Sequence, residues 1–260
     1  MRGEIDDKFR VLAVVLSVNS MNCKEKKLMD IDVKKKDVVA SVLKGYLSGL
    51  PILGPMIAEM IDDLIPNQRI DRIASLLKAL ESKIDPKEQA KVEARMLEEK
   101  SIDLMEDGFL QAARALSEER IDYIASLLKN SLTDEELEHI AYKKLLSILA
   151  EINEVEVLIL RSYSGSIAQQ QEFRRKHQQI VTGPVVHLGS SQEEVDKHAI
   201  HEVYRTNLAR LDLLKIRFQR PRRGESPEFD EKTGMMKSSG YDITSLGRLL
   251  LRSIDQDGNA

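Results

Sequence analysis

The chain has 260 residues, 42% of them hydrophobic, and 39 Lys and Arg against 43 Asp and Glu give a formal net charge of -4. That is enough apolar material for one large domain or two ordinary ones, and the mildly acidic balance excludes a globally basic nucleic-acid or lipid binder, so any basic surface must be local. A single cysteine, Cys23, excludes an internal disulfide and a Cys-rich zinc site and fits a reducing cytosol, while 4% aromatics with no Trp predict a mainly α protein.

The N-terminal run VLAVVLSV follows Glu4, Asp6 and Asp7, where a signal peptide would carry basic residues, so it reads as a buried strand or short helix. The segment from Val38 to Ile61 is the most apolar of the chain. Its uncharged core, Gly45 to Ala58, is 14 residues long, short of the roughly 20 that span a bilayer. Pro51 and Pro55, with Gly45, Gly49 and Gly54, predict a bend between two apolar helices. Two readings stay open for it: a helical hairpin buried in protein, or one that inserts into or onto a membrane. In the second, Leu50, Ile52, Leu53, Met56 and Ile57 contact lipid or a partner subunit, and Lys24, Lys26, Lys27 and Lys34 to Lys36 face anionic headgroups.

One decapeptide then occurs twice, as RIDRIASLLK at 69–78 and RIDYIASLLK at 120–129. In the first copy Asn67 is a candidate cap, and Ile70, Ile73, Leu77 and Leu80, with Leu76 beside them, form an apolar stripe. Asp85, Pro86 and Glu88 predict the start of a charged helix, interrupted by Gly108. Ser117 caps the second copy, whose stripe is Ile121, Ile124, Leu128 and Leu132. The single changed residue, Arg72 against Tyr123, is expected off the stripe, so the pair reads as two core-packing helices. Thr133 and Glu136 predict a capping box for a helix bearing Ile140, Leu145, Ile148, Leu149 and Ile152.

Beyond Asn153 the pattern changes. NEVEVLILRSYSGS reads as a short helix ended by Gly165, and QQQEFRRKHQQIVTGPVVHLG as a loop or short β element. EEVDKHAIHEVYRTNLARLDLLKIRF predicts a long helix with Ala199, Val203, Leu208, Leu211 and Leu214 on its apolar side, stopping near Pro221. A Gly- and Ser-rich stretch follows, and YDITSLGRLLLRSI supplies a strand, a cap and a final helix. The expected fold is mainly α: an N-terminal segment (1–37), a helical bundle with the apolar hairpin (38–152) and a winged-helix-like module with a short β hairpin (153–260).

The runs ALSEERIDYIASLLKNSL, LLSILAEINEVEVLILRSY, NLARLDLLKI and YDITSLGRLLLRSI resemble, in order, the abortive-infection alpha-type proteins of bacteria, over residues 105–254. The resemblance implies a helical protein of antiviral defence and phage exclusion, and carries over no active-site residue; QQQEFRRKHQQIVTGP has no counterpart in it.

No P-loop, GxGxxG, GxSxG, HExxH or CxxC pattern is present, which disfavours an enzyme. Glu194, His198 and His201 share a helical face at metal-ligand spacing, but without a further ligand they read as an ordinary helix surface, and no metal or cofactor is expected. Glu136, Glu138 and His139 read as first-turn helix residues, and Cys23 as an idle thiol. Nucleic-acid contact requires a basic patch. Arg174, Arg175 and Lys176 offer one, and Arg217, Arg220, Arg222 and Arg223, with Phe218 among them, another; residues 154–224 hold 12 Lys and Arg against 8 Asp and Glu. The adopted expectation is a non-enzymatic antiviral defence protein, cytoplasmic or peripheral at the inner membrane, acting through a protein partner, self-association or the membrane. The alternatives are a winged-helix nucleic-acid binder and a structural or oligomerisation protein.

Overall fold

A computed structural model describes residues 69–257, except 97, 136, 222, 223, 225, 232 and 233. Cys23, the apolar segment 38–61 with Leu50, Ile52, Leu53, Met56 and Ile57, and also Arg222 and Arg223, lie outside the described residues. Asp71–Ala260 forms one compact unit. Among the described residues the fold is mainly helical, with a small two-stranded antiparallel hairpin near the C-terminus.

The first decapeptide opens α1 (Ile70–Lys83), whose Ile73, Leu76, Leu77 and Leu80 are fully buried, as the apolar spacing predicts. Asp85 does initiate a turn, its carboxylate accepting from Lys87 N at 2.8 Å, but α2 (Gln89–Met96) becomes α-helical only at Gln89. The expected break at Gly108 is absent. Gly108 lies buried inside α3 (Glu99–Arg114), where a Cβ would come within 2.8 Å of Leu128 Cδ1, so the glycine serves close packing and does not end a helix.

The second decapeptide lies in α4 (Glu118–Thr133), which packs against α2, α3, α5 and α10 and is buried on nearly every side. Ser117 caps it as expected, accepting from Arg120 N at 3.2 Å. Tyr123 corrects the expectation of an off-stripe position. It is buried, because α4 packs against several helices at once and leaves little of its surface to solvent. Thr133 is the last residue of α4, its hydroxyl donating to Lys129 O, and α5 (His139–Glu151) starts after Glu138 with no side-chain cap, so Thr133 does not cap α5 as expected; Glu136, the other half of the expected box, lies outside the described residues. Leu145, Ile148, Leu149 and Ile152 are buried, but Ile140 is 74% exposed.

Asn153 and Glu156 form a complete capping box for α6 (Glu154–Arg161). The stretch expected to be a loop or β element instead forms α7 (Ile167–Lys176), started by a Ser166–Gln169 capping box, and the short α8 (Gln178–Val181). Another box, Ser191 with Glu194, starts α9 (Gln192–Arg210). This helix stops eleven residues before Pro221: Leu211 caps it, Asp212 takes φ 56°, and the chain turns into β1 (Leu214–Phe218). Leu208 and Leu214 are buried as expected, but Ala199 and Val203 are exposed. β1 pairs with β2 (Ser238–Ile243) from Leu214↔Ile243 to Arg217↔Gly240, with a bulge before Phe218. Thr244 caps α10 (Ser245–Ser253), accepting from Gly247 N at 3.0 Å, and α10 returns to pack on α4, α5 and α6. No described helix is long and apolar enough to cross a membrane.

Candidate nucleic-acid interface

Gly165, at φ +80°, turns the chain from α6 into α7. Gln170 Nε2 holds the turn by donating to the carbonyls of Tyr163 and Gly165 at 3.3 and 3.1 Å. This folds α7 back so that Arg174 Nε donates to Ser162 O at 3.1 Å, and the guanidinium lies 4.8 Å over the Tyr163 ring. Tyr163 in turn meets Tyr241 of β2 edge to face, centroids 6.5 Å apart.

β1 adds two cations by alternation: Leu214, Ile216 and Phe218 fall on one face of the strand, Lys215 and Arg217 on the other. Arg217 lies over Gly240, its register partner, where an added Cβ would sit 3.4 Å from Nη2. Its Nη1 donates to Asp242 Oδ1 and its Nε to Ser239 Oγ, both at 3.1 Å, so the guanidinium is held flat across the hairpin. The fourth cation comes from α10. Thr244 Oγ1 donates to Asp212 O at 2.6 Å and Thr244 N to Leu213 O at 3.1 Å, pinning the helix start to the link between α9 and β1. Gly247 lets the two backbones touch, since any Cβ there would overlap the Leu213 carbonyl oxygen. Arg248, the next residue, is thereby set beside the hairpin base.

Arg174, Lys215, Arg217 and Arg248 thus line one cleft of about 520 Å³, with Tyr163, Tyr241, Gln170 and Asp242. Asp242 is engaged by Arg217, whereas Lys215 and Arg248 are exposed and have no carboxylate partner among the described residues. Tyr241 pairs with Ile216, so its side chain lies on the hairpin face opposite Lys215 and Arg217, where burial, with Glu202 adding to the effect, pushes its hydroxyl above the ordinary range. Cations gathered in a polar cleft attract phosphate.

Comparison with protein-family models, curated proteins and solved structures finds no match to this chain. The chemistry of the cleft therefore stands on its own residues.

Of the seven cations singled out in the sequence, Arg174 and Arg217 meet in the cleft. Arg175 is tied to Glu172 at 2.9 Å, an ion pair that lowers the Glu172 pKa and raises its own. Lys176 lines a different hollow, with Arg161, Phe173 and Asp257. Arg220 is exposed beyond the end of β1. Sequence reasoning missed Lys215, Arg248, Tyr163 and Tyr241. The alternation in LKIRF could have found Lys215, but LKIRF was assigned to the preceding helix.

The Glu194, His198 and His201 face is occupied by structural duties. Glu194 accepts from Ser191 N at 2.9 Å, and His198 Nδ1 donates to Pro184 O at 2.9 Å. His201 is buried against Gly183, beside the Ile180 and Val181 backbone. No group of three potential metal ligands occurs among the described residues.

Proposed function

We propose that the C-terminal part of the chain is a nucleic-acid-binding module, and that the antiviral defence role implied by the sequence resemblance runs through this contact. The observation that carries the reading is the convergence of Arg174, Lys215, Arg217 and Arg248 on one cleft with two tyrosines in its wall. Four cations from three separate segments, against one carboxylate that is already engaged, form a local positive field on a chain whose net charge is -4. Arg174 and Arg217 also hold α7 and the hairpin in place, but Lys215 and Arg248 have no carboxylate partner among the described residues and no such structural duty. The winged-helix comparison is compatible with the order α9, hairpin, α10, but the binding surface it offers differs from a recognition helix. The cations of the cleft come from α7, from β1 of the hairpin and from α10 after it.

The test is a charge-reversed double variant, Lys215→Glu with Arg248→Glu. Both side chains are exposed and unpaired among the described residues, so folding should be little affected. Fluorescence anisotropy with labelled DNA and RNA at low salt should show the wild type binding and the variant weakened by about tenfold or more. Protection of a bacterial host against phage should fall in parallel. Absence of binding by the wild type at low salt would overturn the reading, and binding lost with protection intact would separate the defence role from the cleft.

A further inference from the structure

A side chain reads a base by offering donors and acceptors to the base edge or a ring face to stack against. In the cleft those groups are already spent. Gln170 Nε2 donates to the carbonyls of Tyr163 and Gly165, so its amide does not offer the paired donor and acceptor that adenine requires. Ser239 Oγ accepts from Arg217 Nε and donates to Arg217 O, both at 3.1 Å, and the Asp242 carboxylate holds Arg217 Nη1. The Tyr163 ring is covered by the Arg174 guanidinium, and Tyr241 lies on the hairpin face opposite Lys215 and Arg217.

What remains available is charge. Lys215 is exposed, and an ammonium is a point charge with rotatable donors, which takes a phosphate oxygen from many directions and does not tell one base from another. An arginine reads guanine when neighbours hold its fork in the plane of the base. The fork so held in this cleft is Arg217, and it is held flat across the hairpin by Asp242 and Ser239. Arg248 is exposed, and no side-chain hydrogen bond among the described residues fixes its fork. Arg174 and Arg217 keep their charge after their structural bonds and add to the same field. Phosphates recur along every strand whatever its bases, so contacts of this kind position a strand and carry no sequence information.

We infer that the cleft binds the sugar-phosphate backbone alone, so that its ligand is a run of phosphodiesters of any sequence, held by Lys215 and Arg248 without base readout. This rests on the nucleic-acid reading above and narrows the ligand of the cleft to the backbone.

The experiment titrates the full chain at one low salt concentration with three labelled strands of equal length. One is a mixed-sequence oligodeoxynucleotide, one is an abasic oligomer that keeps every phosphate and no base, and one has methylphosphonate linkages that keep the bases and remove the charge. The readout is the factor by which Lys215→Glu with Arg248→Glu weakens each strand. That factor should be about tenfold or more for the mixed-sequence strand and equal within about twofold for the abasic one, because lost phosphate contacts act uniformly across sequences. The uncharged strand should bind weakly and shift by no more than about twofold. Circular dichroism confirms that the variant is folded, and Lys215→Gln with Arg248→Gln takes its place if it is not. An abasic strand that fails to bind where the mixed-sequence strand does, a smaller factor on the abasic strand, or an equal factor on the uncharged strand overturns the inference and leaves the nucleic-acid reading standing. Failure of the mixed-sequence strand to bind, or binding that the folded variant leaves unchanged, overturns both.

Discussion

The two copies of the decapeptide show how far a residue's role depends on what arrives from elsewhere in the chain. Arg69 and Arg120 hold the same position in the same local sequence, yet Arg69 is exposed. Arg120 is largely buried, pairs with Glu154 at 2.9 Å and donates to the carbonyls of Leu149 and Ile152 at the end of α5. Those carbonyls are among the orphan acceptors of a helix C-terminus, and a guanidinium fork satisfies two at once. Nothing within ten residues of Arg120 reveals them, so the apolar stripe was legible in the sequence and this hub was not. Arg120→Met should cost about 2–3 kcal/mol in urea unfolding, because buried acceptors lose a charged donor, whereas Arg69→Met should stay within about 0.5 kcal/mol. His201 gives a pH dependence at the same scale. Burial, and then the Arg205 charge, hold its pKa below the ordinary value, with Glu202 and the Ile180 and Val181 backbone opposing them in part. The unfolded chain then takes up this proton before the folded one does. Stability is full above about pH 6.5 and declines as pH falls from there to the lowered folded value. Urea midpoints measured between pH 7.5 and 5 should therefore drop, and a His201→Gln variant should flatten that part of the profile.

At the scale of elements, helices announced by capping residues were placed well, and errors arose where one local signal had two uses. Ser117 caps the helix expected of it, and Thr244 supplies the cap expected before the last helix, whereas the Asn153 cap of α6 went unread. Thr133 has the same chemistry but sits at a C-terminus, where its hydroxyl finds a carbonyl of its own helix. LKIRF illustrates the other ambiguity. Its apolar residues continue the pattern of α9, and only the left-handed turn at Asp212 breaks the helix and converts a 3.6-residue period to a period of two. Missing that turn hid Lys215. Gly247 governs the remaining part, because it alone permits α10 to start against the Leu213 carbonyl and so sets Arg248. Gly247→Ala would improve intrinsic helix propensity yet force this contact apart. We expect a net loss of about 1–3 kcal/mol by thermal or urea unfolding, together with weaker oligonucleotide binding, since the displaced residue neighbours Arg248.

For the whole molecule, charge is distributed by pairing more than by composition. The chain is acidic overall, and the cations of α9 are neutralised by neighbours on α9 itself or on α5. The four cleft cations face only one carboxylate in their lining. A long-range field from the whole surface would therefore repel nucleic acid, and binding must come from short-range contacts made inside the cleft, where each phosphate contacted displaces a condensed counterion. This fixes the expected salt dependence. With about four phosphate contacts, the plot of log K against log salt should have a slope of roughly -3 to -4, from about 0.7 per contact on a single strand and about 0.9 on a duplex. Lys215→Glu with Arg248→Glu removes two of those contacts and should reduce the slope to roughly half. Lys197→Glu changes net charge as much per residue, but from a position already paired on α9, and should leave the slope unaltered while shifting affinity by no more than about twofold. If instead both variants shifted the slope in proportion to the charge they change, binding would follow net charge and the cleft would have no special part in it.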